Sequence, residues 1–461
     1  MEVSHSWLSN LGFMEHPTIR KAALRLLPFL FFLYVIAYLD RVNVGFAKLD
    51  MNTLPWFSES IFGFGAGIFF FGYFLFEVPS NLILERVGAR KWIARIMFTW
   101  GIISMAMALV KGVPSFYGLR FLLGIAEAGF FPGVLLYLTY WFTQKERAQV
   151  VALFMTANAV AFIIGAPLSG WITQATHNLL GLFGWQWLFI LEGFPSVLFG
   201  FLVLAYLPNG PHDAKWLTPE ERDYIQSRLG ERTDRQHARD EPLIKGLIRD
   251  LKLVLKQLQD SQILHCFTLF FFMVGGMYGI NFWIPQIVKD MSGGGSNLIK
   301  VGLLTAIPYG ISACVMVLNA RHSDKTGERR LHIAIPAMIG AIAMACSGLP
   351  GLPMWAKLAL MAVAASGMWA ILGPFWSIPQ LFLRGTAMAA GLALINSVGN
   401  LAGFAGPFLV GWVKDKTGGF MFPLMVLGLF SLCGSIMALL LPEQLRRRND
   451  SEPLSMRSKD Q

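Results

Sequence analysis

The sequence predicts an all-α membrane protein with twelve transmembrane helices in two pseudo-symmetric bundles of six. Three observations support this fold class. Of the 461 residues, 55% are hydrophobic and only 14% are charged, whereas a soluble domain carries about 25% charged residues. Twelve apolar segments reach the length of about 20 residues that a span requires. A short polar motif also recurs in the second half of the chain, at an offset of 239 residues, which indicates an internal duplication.

The twelve apolar segments define the predicted spans. Lys and Arg number 38, of which 29 fall in the two termini and the even-numbered loops and seven in the odd-numbered loops. Because cytoplasmic loops carry the excess of basic residues, we expect both termini in the cytoplasm. The predicted spans cover residues 25–47, 61–84, 91–111, 115–138, 149–172, 185–207, 263–288, 300–320, 331–349, 354–378, 387–412 and 420–441.

The long polar stretch at 208–260 separates the two sets of six spans. Thr218-Pro219-Glu220-Glu221 forms a capping box that predicts a short helix. Apolar residues at helical spacing over 244–258, with Lys and Arg between them, predict a basic amphipathic helix. This helix either rests on the inner membrane surface or packs on the protein as a linker. The predicted domains are a cytoplasmic tail (1–24), an N-terminal bundle (25–207), a cytoplasmic linker (208–260), a C-terminal bundle (261–441) and a second tail (442–461).

The recurring motif lies in the loops after the second and the eighth span. The first copy runs from Glu85 to Lys91 and the second from Asp324 to Arg330, and each has an acid, a base, a Gly and a basic pair. Duplicated six-span halves are typical of secondary transporters. These loops could close the cytoplasmic side through charge contacts, or serve only as positive turns. The candidate gating residues are Glu85, Arg86, Gly88, Arg90, Asp324, Gly327, Arg329 and Arg330.

Two acid–base pairs lie within the first and fourth spans. Asp40 and Arg41 are adjacent, about 100° apart around a helix, so one can face a central cavity while the other turns toward the fourth span. Arg120 and Glu127 are seven residues apart, two helical turns, and can share a face. Charges at membrane depth are costly and usually mark a transport pathway. Permanent pairing that only joins the two spans is the alternative. Glu192, in the sixth span, is interpreted as structural.

Residue chemistry divides the roles in this cluster. A permanently charged Arg binds carboxylates well and carries protons poorly, so Arg41 is the candidate substrate clamp. Apolar surroundings favour the protonated form of a carboxyl, so Asp40 and Glu127 are candidate proton sites. Arg120 is expected to pair with one of the acids. The neutral candidates, each of which could instead be a packing or hydrogen-bonding residue, are Tyr38, Tyr73, Asn158, Tyr278, Asn281, Trp376 and Asn396.

Several functional classes lack support in the sequence. It contains no P-loop, zinc motif or serine nucleophile elbow, so we expect neither an enzyme nor a cofactor or metal. Without an ATP site, transport would draw on an ion gradient or on the substrate's own gradient. The basic residues follow the loops, which indicates topology and not nucleic-acid binding. The sequence does not specify an oligomeric state, and we expect a monomer.

Several motifs resemble the Major Facilitator Superfamily and, within it, the anion:cation symporter family. The resemblance covers nearly the whole chain. It departs from the pattern at Glu85, where the superfamily loop usually has Asp. The motifs are those that begin at Tyr38, Gly72, Arg120, Asn281 and Asn396.

The resemblance implies a function and several site residues. The bacterial branch that it matches best carries tartrate, phthalate, hydroxyphenylacetate and related carboxylates, and other members carry sugar acids. It implies the roles given above for the four charged residues, and substrate contacts at Tyr38, Tyr73, Asn158, Trp376 and Asn396.

We therefore predict a proton-coupled symporter that imports a small organic carboxylate across the bacterial inner membrane. Its expected partners are the organic anion, protons and the lipid bilayer. An anion exchanger and a sodium-coupled carboxylate transporter are the alternatives. An exporter is weakly disfavoured, because the fifth span lacks the extended Gly-Pro-rich pattern associated with antiporters.

Overall fold

The computed structural model of the chain describes residues 16–229, 259–294, 297–383 and 385–442, with positions 245, 246, 248, 249 and 252. This part of the chain is helical and contains no β-strand, which confirms the predicted fold class. It contains twelve helical segments that are long and apolar enough to cross a membrane, two of which consist of two consecutive α-helices. The α-helices are α1 (Pro17–Met51), α2 (Glu59–Val87), α3 (Ala89–Ala106), α4 (Val113–Glu127), α5 (Phe130–Leu138), α6 (Gln144–Ala175), α7 (Gly184–Tyr206), α8 (Pro219–Leu229), α9 (Ser261–Met291), α10 (Leu298–Thr326), α11 (Arg330–Ser347), α12 (Met354–Ala370), α13 (Leu372–Ser377), α14 (Pro379–Phe382), α15 (Gly385–Thr417) and α16 (Met421–Leu439).

The chain forms two compact units. The first comprises Met1–Asp250 and Asn281–Ala306, and the second comprises Leu251–Ile280 and Ile307–Gln461. In the first unit α3 packs along α7, α2 along α4, and α1 along α6 and α7. In the second unit α11 packs against α12 and α16, and α15 packs against α16. The predicted domain boundaries stay a prediction.

The fourth predicted span is not one continuous helix over 115–138. The backbone of Ala128 leaves the helical region, and Gly129 adopts a left-handed conformation with φ of 85°. Glycine suits this position because it populates positive φ without steric cost. A Cβ at Gly129 would also lie only 2.2 Å from Ser80 Oγ. The break therefore ends α4 at Glu127, one of the predicted site residues.

Close packing between α2 and α4 depends on glycine. A Cβ at Gly124 would lie 1.9 Å from the carbonyl oxygen of Phe69, which is a backbone atom of α2. Small residues at such contacts let helix backbones approach closely. Gly118, on the same helix, has no neighbouring atom within 4 Å of its ideal Cβ position.

The capping box at the start of the linker helix is confirmed. The α8 helix begins at Pro219, the Thr218 N–H donates to Glu221 Oε2 at 2.9 Å, and the Glu221 N–H donates to Thr218 Oγ1 at 3.2 Å. The predicted amphipathic helix over 244–258 lies largely outside the described residues, as do 1–15 and 443–461 of the two tails.

The glycine contact gives a stability prediction with a matched control. We expect Gly124→Ala to lower the melting temperature of the purified protein by several degrees, because the methyl group would displace the α2 backbone. Gly118→Ala should leave it unchanged or raise it, since Ala favours a helix over Gly by up to about 1 kcal/mol. Equal melting temperatures for the two variants in one detergent would contradict the packing account.

Candidate functional site

A buried ion pair joins the first and fourth predicted spans. Arg41 Nη2 of α1 donates to Glu127 Oε1 at the end of α4. Arg41 is 6% exposed and Glu127 is 1% exposed, so both charges are removed from solvent. The second oxygen, Glu127 Oε2, is buried without a hydrogen-bond partner among the described residues. The pair thus leaves acceptor capacity unused at its carboxylate.

Aromatic rings surround the Arg41 guanidinium. Its Cζ lies 4.9 Å from the ring centre of Tyr38 and 5.5 Å from those of Phe69 and Tyr73. Cations are attracted to the faces of aromatic rings, more strongly where water is excluded. Two predicted neutral candidates, Tyr38 and Tyr73, therefore lie beside the predicted substrate clamp.

Among the described residues, Arg120 forms no ion pair with an acid, contrary to the expectation from sequence. Its Nε and Nη2 donate to the carbonyl oxygens of Gly65 at 3.1 Å and Ala66 at 3.3 Å. Arg120 is 0% exposed, and its Nη1 has no hydrogen-bond partner among the described residues. The carbonyls of α2 are reachable because glycine-mediated packing brings the two helices together. The hydrogen bonds that hold Arg120 therefore go to backbone carbonyls of α2.

Asp40 lies on a different side of α1 from Arg41. Ser104 Oγ of α3 donates to Asp40 Oδ1 at 2.8 Å, and Ser196 Oγ of α7 donates to Oδ2 at 2.6 Å. The carboxyl is 0% exposed. Of the two adjacent residues, Arg41 is the one that turns toward the fourth span.

A second buried carboxyl, Glu192, lies in the same part of the first unit. Ser169 Oγ of α6 donates to Glu192 Oε1 at 2.7 Å, and Glu192 Oε2 is buried without a partner among the described residues. Asn43 of α1 lies close enough to interact with Glu192. Sequence analysis treated Glu192 as structural, and its position in an apolar segment was the only available signal.

The remaining neutral candidates are divided between the two units. Asn158 of α6 and Asn281 of α9 belong to the first unit and are each 3% exposed. Tyr278, Trp376 and Asn396 belong to the second unit. There Phe270 packs against Trp376, with ring centres 5.0 Å apart. Tyr278 is buried, whereas Trp376 and Asn396 are half-buried.

Lys48 follows the predicted end of the first span at residue 47, where an exposed outer-loop residue is expected, but it is buried in the structure. It is 0% exposed, and its Nζ lies 2.8 Å from Glu59 Oε2 and 3.0 Å from Asn52 Oδ1. The same atom donates to Gln286 Oε1 at 3.4 Å and lies 5.0 Å from the ring centre of Trp283. α1 continues to Met51, four residues beyond the predicted end. This longer helix brings Lys48 into contact with α2 and α9.

The two copies of the loop motif share a backbone feature. Gly88 has φ of 92° and Gly327 has φ of 68°. In the first copy, the Arg90 N–H donates to Asn209 Oδ1 at 3.2 Å. In the second, Arg329 Nη1 donates to Asp324 Oδ1 at 2.7 Å. Both aligned glycines therefore adopt positive φ, while the gating role stays a prediction.

Comparisons with known proteins were consistent across the chain. A sequence model of the Major Facilitator Superfamily matches residues 30–407. The chain is 46% identical over 407 residues to a protein of Agrobacterium vitis named "Putative tartrate transporter", covering 88% of this chain and 90% of that one. It is 39% identical to a "Quinolone resistance transporter" of Acinetobacter baumannii, covering 94% and 97% of the two chains.

Solved structures also share the fold. A bacterial homologue of the human lysosomal transporter Spinster superposes with a TM-score of 0.71 at 16% identity, over 94% of this chain and 99% of that one.

The buried pair predicts non-additive effects on stability. Glu127→Gln and Arg41→Gln should each lower the stability of the unliganded protein, because removing one partner of a buried pair costs about 3–5 kcal/mol. The double variant should lose less stability than the two single variants lose together, since it leaves no uncompensated buried charge. Thermal unfolding of the four proteins measures this. If the stability loss of the double variant equals the sum of the two single losses, Arg41 and Glu127 do not interact directly.

Proposed function

Since the chain belongs to the Major Facilitator Superfamily, we propose that this transporter is a proton-coupled symporter that imports a small organic carboxylate. The observation that carries the proposal is the buried Arg41–Glu127 pair. One guanidinium here holds a carboxylate that can be neutralised by a proton, in surroundings that exclude water.

Competition for Arg41 would couple the proton to the substrate. While Glu127 is ionised, it occupies the guanidinium and neutralises it. Protonation of Glu127 removes that counter-charge, and a buried cation without a partner is costly. An incoming carboxylate can supply the missing charge with bidentate geometry. Proton binding would therefore favour anion binding at the same guanidinium, and loss of the proton would favour release.

The proposed substrate class is a carboxylate with polar substituents, from the tartrate, sugar-acid or aromatic-acid groups. The name of the 46% identical relative supports tartrate as the first compound to test. Arg120 supplies a second buried cation whose Nη1 lacks a partner among the described residues. The buried tyrosines Tyr38 and Tyr73 would border a ligand at Arg41.

The distribution of basic residues supports a proposal for the membrane topology. We propose that the protein acts as a monomer in the bacterial inner membrane, with both termini and the 208–260 linker in the cytoplasm. Residues 25–207 and 261–441 would form the two bundles. The turns at Gly88 and Gly327 would serve gating on the cytoplasmic side.

Export is a second candidate function. The relative named "Quinolone resistance transporter" favours it, at 39% identity over almost the whole chain. The same proton-sensitive pair could drive antiport if the substrate entered from inside. Exchange of one anion for another and sodium coupling are further alternatives. The direction of flux and the driving ion distinguish all of these.

Uptake into proteoliposomes tests the proposal. When the pH outside the proteoliposomes is lower than the pH inside, the wild-type protein should accumulate labelled tartrate. If it does not transport tartrate, it should accumulate another member of a panel of sugar acids, phthalate and hydroxyphenylacetate. A sodium gradient or a preloaded anion should not increase the accumulation of the labelled substrate. Accumulation that requires sodium or internal anion, or that occurs only with an alkaline outside, would replace symport with one of the alternatives.

Two variants test the roles of the pair. Arg41→Lys should raise the KM for uptake at least about tenfold, because the bidentate contact is lost. The matched control Arg95→Lys, on α3 and away from the pair, should leave KM unchanged. Glu127→Gln should abolish accumulation driven by the pH gradient while tartrate counterflow at equal pH continues. A Glu127→Gln protein that still accumulates tartrate would contradict the coupling role.

A further inference from the structure

A second group of buried carboxyls lies against the side of α1 that packs on α3, α6 and α7. Asp40 accepts hydrogen bonds from Ser104 of α3 and Ser196 of α7. Glu192 precedes Ser196 by one helical turn on α7, so the two side chains share a face. Glu192 in turn accepts from Ser169 of α6. Hydroxyl groups of three helices therefore converge on two neighbouring carboxyls.

In the described part of the chain, these carboxyls form no ion pair. Among the described residues, no Lys, Arg or His lies within ion-pair distance of Asp40 or Glu192. The other groups that face them are neutral: the Asn43 amide beside Glu192 and the Trp100 indole beside Asp40. Glu127, the further acid that influences Asp40, has the same sign of charge.

Elementary electrostatics then limits the charge of this group. An isolated buried carboxylate is expensive, and two neighbouring ones repel each other. Interacting sites of this kind titrate as a unit and can hold a proton jointly. Two hydroxyl donors on the oxygens of Asp40 suit its ionised form. The buried Glu192 Oε2, which accepts from no described group, suits a protonated hydroxyl.

We propose that Asp40 and Glu192 share one proton as a coupled dyad, and that Glu192 is a second proton-holding position of the transport cycle. Loss of this proton to water raises the negative charge of the dyad from one to two and disfavours a further anion at Arg41. Binding of the proton returns that charge to one. The transport part of this inference rests on the proposed function, whereas the shared proton does not.

Infrared spectroscopy of the purified protein in lipid nanodiscs tests the shared proton without any substrate. The carbonyl stretch of a protonated carboxylic acid, recorded near neutral pH, should be present in the wild type and lost in Glu192→Gln. In Glu192→Asp, which keeps a carboxyl at this position, the band should shift in frequency but remain. This variant is the control for loss of the band through misfolding. An unchanged band in Glu192→Gln would overturn the proposal.

Glu146 offers the matched control. Partial burial acts to raise the pKa of Glu146, but hydrogen bonds from Thr143 and the ion pair with Arg228 outweigh it, and the pKa lies below its usual value. Its carboxyl is therefore ionised near neutral pH. Glu146→Gln should leave the acid band intact, and loss of the band in this variant would overturn the assignment to Glu192.

Transport in proteoliposomes tests the role in coupling. Glu192→Gln should keep tartrate counterflow at equal pH, while its accumulation ratio falls about tenfold per unit of pH gradient, as the loss of one coupled proton requires. Glu192→Asp should restore part of the accumulation. Wild-type accumulation and a wild-type pH profile in Glu192→Gln would overturn the proposal.

Loss of counterflow in both Glu192 variants would also overturn the proposal, because it indicates structural damage. A wild type that ignores the pH gradient would instead overturn the proposed function and leave the infrared result standing.

Discussion

The structure of the first unit depends on the high free-energy cost of burying a charge without a partner. Arg41 and Glu127 can remain ionised in an apolar bundle only while each compensates the other. Protonation of Glu127 removes the counter-charge of the Arg41 guanidinium, which another anion would then have to supply. This constraint converts a structural ion pair into a proposed coupling device, because the proton and the substrate carboxylate act on the same cation. The other polar features of the site adjust or shield that pair.

The backbone supplies the geometry that the pair needs. Gly124 lets α4 approach α2 closely enough for Arg120 to reach backbone carbonyls. The backbone break at Ala128 and Gly129 then leaves Glu127 at the end of α4. Arg120 is held by neutral carbonyls, so its charge stays available to the cluster.

The first helix presents different chemistry to its neighbours. Arg41 points to α4 and to a cluster of aromatic rings, while Asp40 points to the hydroxyls of α3 and α7. Adjacent residues on a helix diverge by about 100°, so one short segment can serve a cation site and an acid site together. Proton binding at the dyad and at Glu127 would then act on one helix. This arrangement links the proposed second proton position to the proposed substrate clamp.

Sequence reasoning predicted much of the fold and less of the site. Apolar lengths predicted twelve spans, and a capping box predicted α8. These features depend on local chemistry that a sequence displays directly. The partners of Arg120, the burial of Lys48 and the hydroxyl shell of Asp40 depend on which helices pack together, which a single sequence does not display. The roles of the site residues remain predictions, because they concern ligands and protons.

Substrate-driven proton movement would test the central claim most directly. Proteoliposomes that contain a pH-sensitive dye would receive tartrate outside, with equal pH on both sides and no other gradient. The account predicts that the lumen acidifies as tartrate enters with the wild-type protein, and that it does not with Glu127→Gln. Tartrate entry with no change of lumenal pH in the wild type would contradict proton coupling and return the Arg41–Glu127 pair to a purely structural role.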